Sequence, residues 1–68
     1  MKKPKVKLIE FSPKNEDGLR ETLNETIICT CNARGDAELI RSKLRDVYSN
    51  ITSIDDPNSR KYSLVVGY

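Results

Sequence analysis

The chain has 68 residues and a formal net charge of +2, with 37% hydrophobic and 32% charged residues. A chain of this length forms one domain that buries only about 60% of its unfolded surface, so we expect a stability of about 3 to 5 kcal/mol unless another chain contributes. No apolar run approaches the roughly 20 residues that cross a bilayer, and no signal-peptide core follows the basic start. The sequence therefore predicts a small cytoplasmic domain without a membrane partner, and it favours a homo-oligomer, most simply a dimer.

The amino-terminal residues 1–4 are predicted to form a flexible basic arm, followed by a single small α+β domain over residues 5–68. Residues 1–14 contain five lysines and one glutamate, a net charge of +4. Residues 15–40 contain six acidic residues and two arginines, a net charge of −4. Blocks of opposite charge usually neutralise one another on a folded surface, and a basic arm is the exception.

The first half of the domain predicts a β-hairpin. Residues 5–11 and 19–31 are rich in strand-forming side chains, and residues 15–18 between them have the composition of a tight turn that ends in glycine. A competing interpretation starts a helix after Pro13 and continues it past Gly18, which would give the element order βαβαβ. The glycine weakens that helix, so the hairpin is favoured.

The strongest periodic signal lies in residues 36–51. Apolar side chains recur there at alternating steps of three and four, at Ala37, Ile40, Leu44, Val47 and Ile51. This spacing is typical of a helix with one apolar stripe, and Asp36 is placed to cap its start.

The remaining residues predict a short strand over 52–55, a turn over 56–59 and a final strand over 61–67. The predicted fold is therefore a two-layer ββαββ arrangement of the α+β class. One amphipathic helix packs on one face of an antiparallel sheet.

One helix cannot cover both faces of such a sheet, so the sequence predicts an apolar face that stays open. Alternation in the first two strands assigns the odd-numbered residues to the helix side, among them Ile9, Phe11, Ile27, Cys29 and Cys31. In the last strand Tyr62, Leu64, Val66 and Tyr68 share one face, which leaves Val65 on the other. The alternation assigns four residues to the open side: Val6, Leu8, Ile28 and Val65. Because contiguous exposed apolar surface often marks an interaction site, these four are the predicted protein interface. A twist or bulge that returns them to the core is the alternative.

The pair Cys29 and Cys31 is interpreted first as buried core thiols. The chain has no histidine and no third cysteine, so a structural metal would need ligands from a second chain. Thiol-based sensing and a metal shared across a dimer are the alternatives. The lack of histidine also argues against acid–base catalysis near neutral pH, and no cofactor, catalytic residue or small-molecule substrate is predicted.

The leading functional interpretation is a non-enzymatic, regulatory protein-binding module that self-associates through the open sheet face. The alternative is a nucleic-acid-binding accessory protein that uses the basic arm and the helix arginines. Its candidate residues are Lys2, Lys3, Lys5, Lys7, Arg41 and Arg45.

Overall fold

A computed structural model describes residues 2–68 as a three-stranded antiparallel sheet with a helical layer on one face. The elements in chain order are β1 (Lys5–Phe11), β2 (Thr22–Thr30), α1 (Arg34–Val47), α2 (Ser49–Thr52) and β3 (Lys61–Gly67). The order of strands across the sheet is β2-β1-β3, so β1 is central and the other two are edges. The α+β class is confirmed.

The hairpin between β1 and β2 forms around a turn that its own residues stabilise. The Asn15 side-chain oxygen accepts hydrogen bonds from the backbone N–H groups of Asp17 and Leu19, at 2.9 and 3.0 Å. Gly18 has a φ of 76°, a conformation that costs little for a residue without Cβ. The alternative helix through Gly18 is therefore wrong.

The α1 helix begins at Arg34, two residues before the predicted start. Its N-cap is Ala33, which has no side-chain cap, so the prediction that Asp36 caps the helix is wrong. Asp36 lies in the first turn instead, where a negative charge is favoured by the helix dipole.

The strand predicted over residues 52–55 is not formed. The chain continues as α2 through Thr52 and is irregular from there to β3. Hydroxyl groups support this helical continuation, because Ser49 donates to the carbonyl of Asp46 and Thr52 donates to the carbonyl of Tyr48. The sheet consequently has three strands, and the order among the described residues is ββααβ rather than ββαββ.

The core lies on the face that carries the even-numbered residues of β1, which the sequence assigned to solvent, whereas Cys29, Cys31, Leu64 and Val66 lie on the covered face as predicted. Its buried residues are Val6, Cys31, Ala37 and Leu64, and Leu8, Ile28, Cys29, Ile40, Leu44, Tyr48 and Val66 pack against them. Val6 has no exposed surface. Three of the four predicted interface residues, Val6, Leu8 and Ile28, thus pack on the helix side, and that assignment is wrong.

The physical reason is cross-strand register. Val6 pairs with Val66 and Leu8 pairs with Leu64 across β1 and β3, so the even-numbered residues of both strands form one continuous apolar surface. The apolar stripe of α1 packs on this surface. On β2 a register irregularity between the pairs Val6↔Cys29 and Lys7↔Ile27 inserts one extra residue. The odd-numbered residues of β2 therefore face the helix after this point and face away from it before this point.

Part of the predicted arm belongs to the fold. Pro4 is buried and its carbonyl accepts a hydrogen bond from the backbone N–H of Cys31 at 2.8 Å, which extends the hairpin by one residue. Met1 lies outside the described residues. Within residues 2–68, every helix falls short of the length and apolarity that a bilayer crossing requires.

Candidate functional site

The sheet face opposite α1, here called the open face, carries the odd-numbered side chains of β1. Strand register sets their neighbours: Lys7 lies between Ile27 and Val65, and Ile9 lies between Glu25 and Ser63. The apolar members of the open face are Ile9, Phe11, Ile27 and Val65. Since α1 packs on β1 and β3 from the other side, these four side chains lack a helical cover.

The charge at the centre of the open face is paired within the chain. Lys7 Nζ lies 3.0 Å from a carboxylate oxygen of Glu25 and donates to the carbonyl of Tyr68 at 3.1 Å. The Lys7 side chain is only 17% exposed, although it belongs to an outward-facing position. The aliphatic stem of Lys7 and the neighbouring apolar side chains therefore form a continuous surface, and the Lys7 charge at its centre is balanced by Glu25.

Exposure on the open face increases toward the β2 edge. Ile27 is 55% exposed and Leu23, at the second register irregularity of β2, is 43% exposed. Ile9, Phe11 and Val65 are half-buried by their strand neighbours. The most accessible apolar atoms therefore lie on β2.

The structure retains the predicted open face but changes its residues. Of the predicted set only Val65 belongs to it, whereas Ile9, Phe11 and Ile27 were assigned to the core. The alternation was correct within β1 and β3, but it gives no sign of which face the helix packs on. No residue signal marks the irregularity at Ile28.

Four of the six residues of the nucleic-acid alternative lie on two different surfaces. Lys5 and Lys7 lie on the open face, whereas Arg41 and Arg45 line the groove between α1 and the outer edge of β3. Lys7 is paired with Glu25. The cations therefore divide between two sides of the sheet.

The two thiols lie side by side at the end of β2. Cys29 Sγ and Cys31 Sγ are 3.8 Å apart, and they border a shallow pocket of about 370 Å³ together with Thr30, Asn32, Asp36, Leu39 and Ile40. Burial, followed by contact with Cys29, raises the pKa of the Cys31 thiol above its ordinary value. This favours the protonated, unreactive form. Residues 2–68 contain no cluster of three or more Cys, Asp or Glu side chains arranged to hold a metal ion.

A polar cluster that the sequence analysis missed lies beyond the end of α1, on the same face of the sheet. The Glu10 carboxylate accepts hydrogen bonds from Asn24, Arg60 and Tyr62 at 2.8, 2.9 and 2.9 Å. These bonds, that of Asn24 first and then those of Tyr62 and Arg60, lower the pKa of Glu10. The bond to Glu10 raises the pKa of the Tyr62 phenol. The hydrogen-bond partners of Glu10 all belong to the same chain, and Glu10, Asn24 and Tyr62 lie on the three different strands. This indicates a structural cluster that joins the strands.

Comparisons of the chain with protein-family models, curated proteins and solved structures find no match.

Proposed function

We propose that the protein is a small non-enzymatic protein-binding module that self-associates through the open face. The single observation that carries the proposal is that the helical layer covers one face of the sheet, while the other face presents Ile9, Phe11, Ile27 and Val65. Apolar surface of this kind is a common feature of protein interfaces. A regulatory role in the cytoplasm is part of the same proposal.

A second copy of the chain is the proposed occupant because the charge at the centre of the open face is paired within the chain. The ion pair of Lys7 and Glu25 lowers the repulsion between two identical faces. Lys5, opposite Thr30, and Glu25, opposite Ile9, lie on adjacent strands at different positions along the face. A two-fold arrangement can therefore bring each lysine toward the glutamate of the partner.

The size of the face sets the expected affinity. Three strands of about seven residues give a flat area of about 14 by 24 Å, which is smaller than the roughly 800 Å² per partner of a standard stable interface. The core among the described residues is also small, with four buried apolar residues. We therefore expect a weak dimer with a dissociation constant in the micromolar range.

Sedimentation equilibrium of wild type and of Ile27→Asp tests the proposal. Wild type is expected to dimerise with increasing concentration, and Ile27→Asp to stay monomeric because it places two charges in the interface. The matched control is Leu39→Asp on α1, since Leu39 and Ile27 are 57% and 55% exposed. Circular dichroism checks that both variants fold. A wild type that is monomeric at high micromolar concentration, or equal dimerisation of the two variants, would overturn the proposal.

A further inference from the structure

The outer edge of β3 and the arginine-bearing side of α1 enclose a groove, here called the β3 groove. Its two pockets, of about 320 and 290 Å³, lie on either side of Arg41. One is lined by Arg34, Glu38, Arg41, Val65 and Val66, and the other by Arg41, Arg45, Thr52, Lys61, Tyr62, Ser63 and Leu64. Consecutive residues of a strand point to opposite faces of the sheet. Because Val65 and Val66 both line the first pocket, this pocket reaches the edge of the strand.

Among residues 2–68, no strand lies beside the outer edge of β3. The even-numbered residues of β1 and its flanks direct their backbone groups toward β2. The Pro4 carbonyl accepts from the N–H of Cys31, and the Ser12 N–H donates to the carbonyl of Glu21. In an antiparallel ladder the odd-numbered residues of β1 then bond toward β3. By the register of the two strands, Tyr62, Leu64 and Val66 direct their N–H and C=O groups outward.

A side chain already occupies the central position on this edge. Arg41 Nε donates to the carbonyl of Leu64 at 2.8 Å. The contact shows that a donor in the groove reaches the outward carbonyl, and the terminal nitrogens of Arg41 remain to bind a carboxylate. Arg41 therefore lies where an incoming chain would form backbone hydrogen bonds with β3 and have its carboxylates bound.

The charge of the β3 groove selects the chemistry of that chain. Its cations are Arg34, Arg41, Arg45 and Lys61, against the single carboxylate of Glu38. Glu38 lies 3.4 Å from Arg34, and Lys61 is fixed at the far end by the carbonyls of Thr52 and Ile54. The arginines extend over about 16 Å of helix, which matches five or six residues of an extended strand.

We propose that the β3 groove binds an extended acidic peptide segment of a partner protein, which adds to the sheet as a fourth strand beside β3. The outward backbone groups of Tyr62, Leu64 and Val66 supply the ladder once the incoming strand replaces Arg41 at the Leu64 carbonyl, and the arginines of α1 bind the carboxylates on alternate residues. Outward backbone groups favour a peptide over nucleic acid, whose phosphates need only the cations. This surface meets the open face at Val65, but strand addition uses the edge of β3 rather than the open face itself.

Fluorescence anisotropy with a labelled peptide of alternating valine and glutamate tests the proposal. Binding is expected, and Arg45→Glu should weaken it about tenfold because it places a like charge against the peptide. Lys43→Glu is the matched control, since it makes the same change in net charge at another exposed position of α1, and it should change the affinity much less.

A second probe separates strand addition from charge attraction. Two versions of this peptide carry N-methyl groups on alternate residues, either on every glutamate or on every valine. Both keep every carboxylate, but one of them loses the backbone donors that face β3, and that version should not bind detectably. Equal binding of both methylated versions and the unmethylated peptide would overturn the proposal. So would equal effects of Arg45→Glu and Lys43→Glu, or binding of a single-stranded oligonucleotide without binding of the peptide.

Discussion

Alanine substitution at Val6 and at Val65, one at a time, tests which face of the sheet forms the core. Both changes remove the same atoms from a strand, so differences in strand propensity cancel to first order. Val6 is fully buried and Val65 is half-buried on the open face. Two buried methyl groups contribute about 1.6 kcal/mol, and the cavity raises the cost of Val6→Ala to about 2 kcal/mol. We expect about 0.5 kcal/mol for Val65→Ala.

Urea unfolding followed by circular dichroism measures the difference. The experiment is run at low micromolar protein concentration, where self-association contributes little to stability. With a slope of about 1 kcal/mol per molar urea, the two midpoints should differ by about 1.5 M. Equal midpoints, or a larger loss for Val65→Ala, would refute the assignment of the faces and with it the open-face proposal.

Other parts of the fold yield further tests. The Arg20 guanidinium binds the carbonyls of Ser12, Ser59 and Asp56, so Arg20→Lys, which keeps the charge but loses the fork, should cost about 1 kcal/mol in urea unfolding; an unchanged midpoint contradicts this role. Gly18→Ala should cost about 1 kcal/mol because φ is positive there, whereas Gly35→Ala in α1, where an added Cβ meets open space, should stabilise by about 0.5 kcal/mol; the same sign for both would be inconsistent. The pKa of Glu10 lies below its ordinary 4.5, so its stabilisation is present above that pH and is lost as the pH falls through the lowered value; thermal melts across acid pH should show a flatter decline for Glu10→Gln, and identical slopes would count against it. Burial raises the pKa of Cys31, so alkylation at neutral pH should be slower in the native than in the denatured protein, as mass spectrometry of labelled peptides measures; equal rates would show an accessible thiol.

Local sequence signals predicted the elements that local interactions form. The apolar stripe of α1 was found because residues three and four apart meet on one side of a helix whatever the rest of the chain does. The hairpin was found because Asn15 and Gly18 supply the side-chain acceptor and the positive φ of the turn within a few residues. The predicted strand over residues 52–55 was wrong because the hydroxyls of Ser49 and Thr52 support a helical continuation.

The candidate surfaces were less accessible to sequence reasoning. The structure keeps Val65 on the open side as predicted, but the β1 residues of the two faces were inverted, since Ile9 and Phe11 alternate as regularly as Val6 and Leu8. The β3 groove needs Arg41 to lie beside Leu64, a contact across 23 residues. The polar cluster at Glu10 joins three strands and includes Arg60, fifty residues away.

The sequence by itself determined the positions of the helix, the turn and the three strands, because each depends on backbone preferences and side-chain periodicity within a short stretch. Only the tertiary structure decided which side of the sheet receives the helix. That choice depends on the match between Val6, Leu8, Leu64 and Val66 across strands distant in sequence, and on one extra residue in β2 that reverses its parity. A period of two tells which residues share a face, but the packing energy of the assembled layers decides which of the two faces is buried.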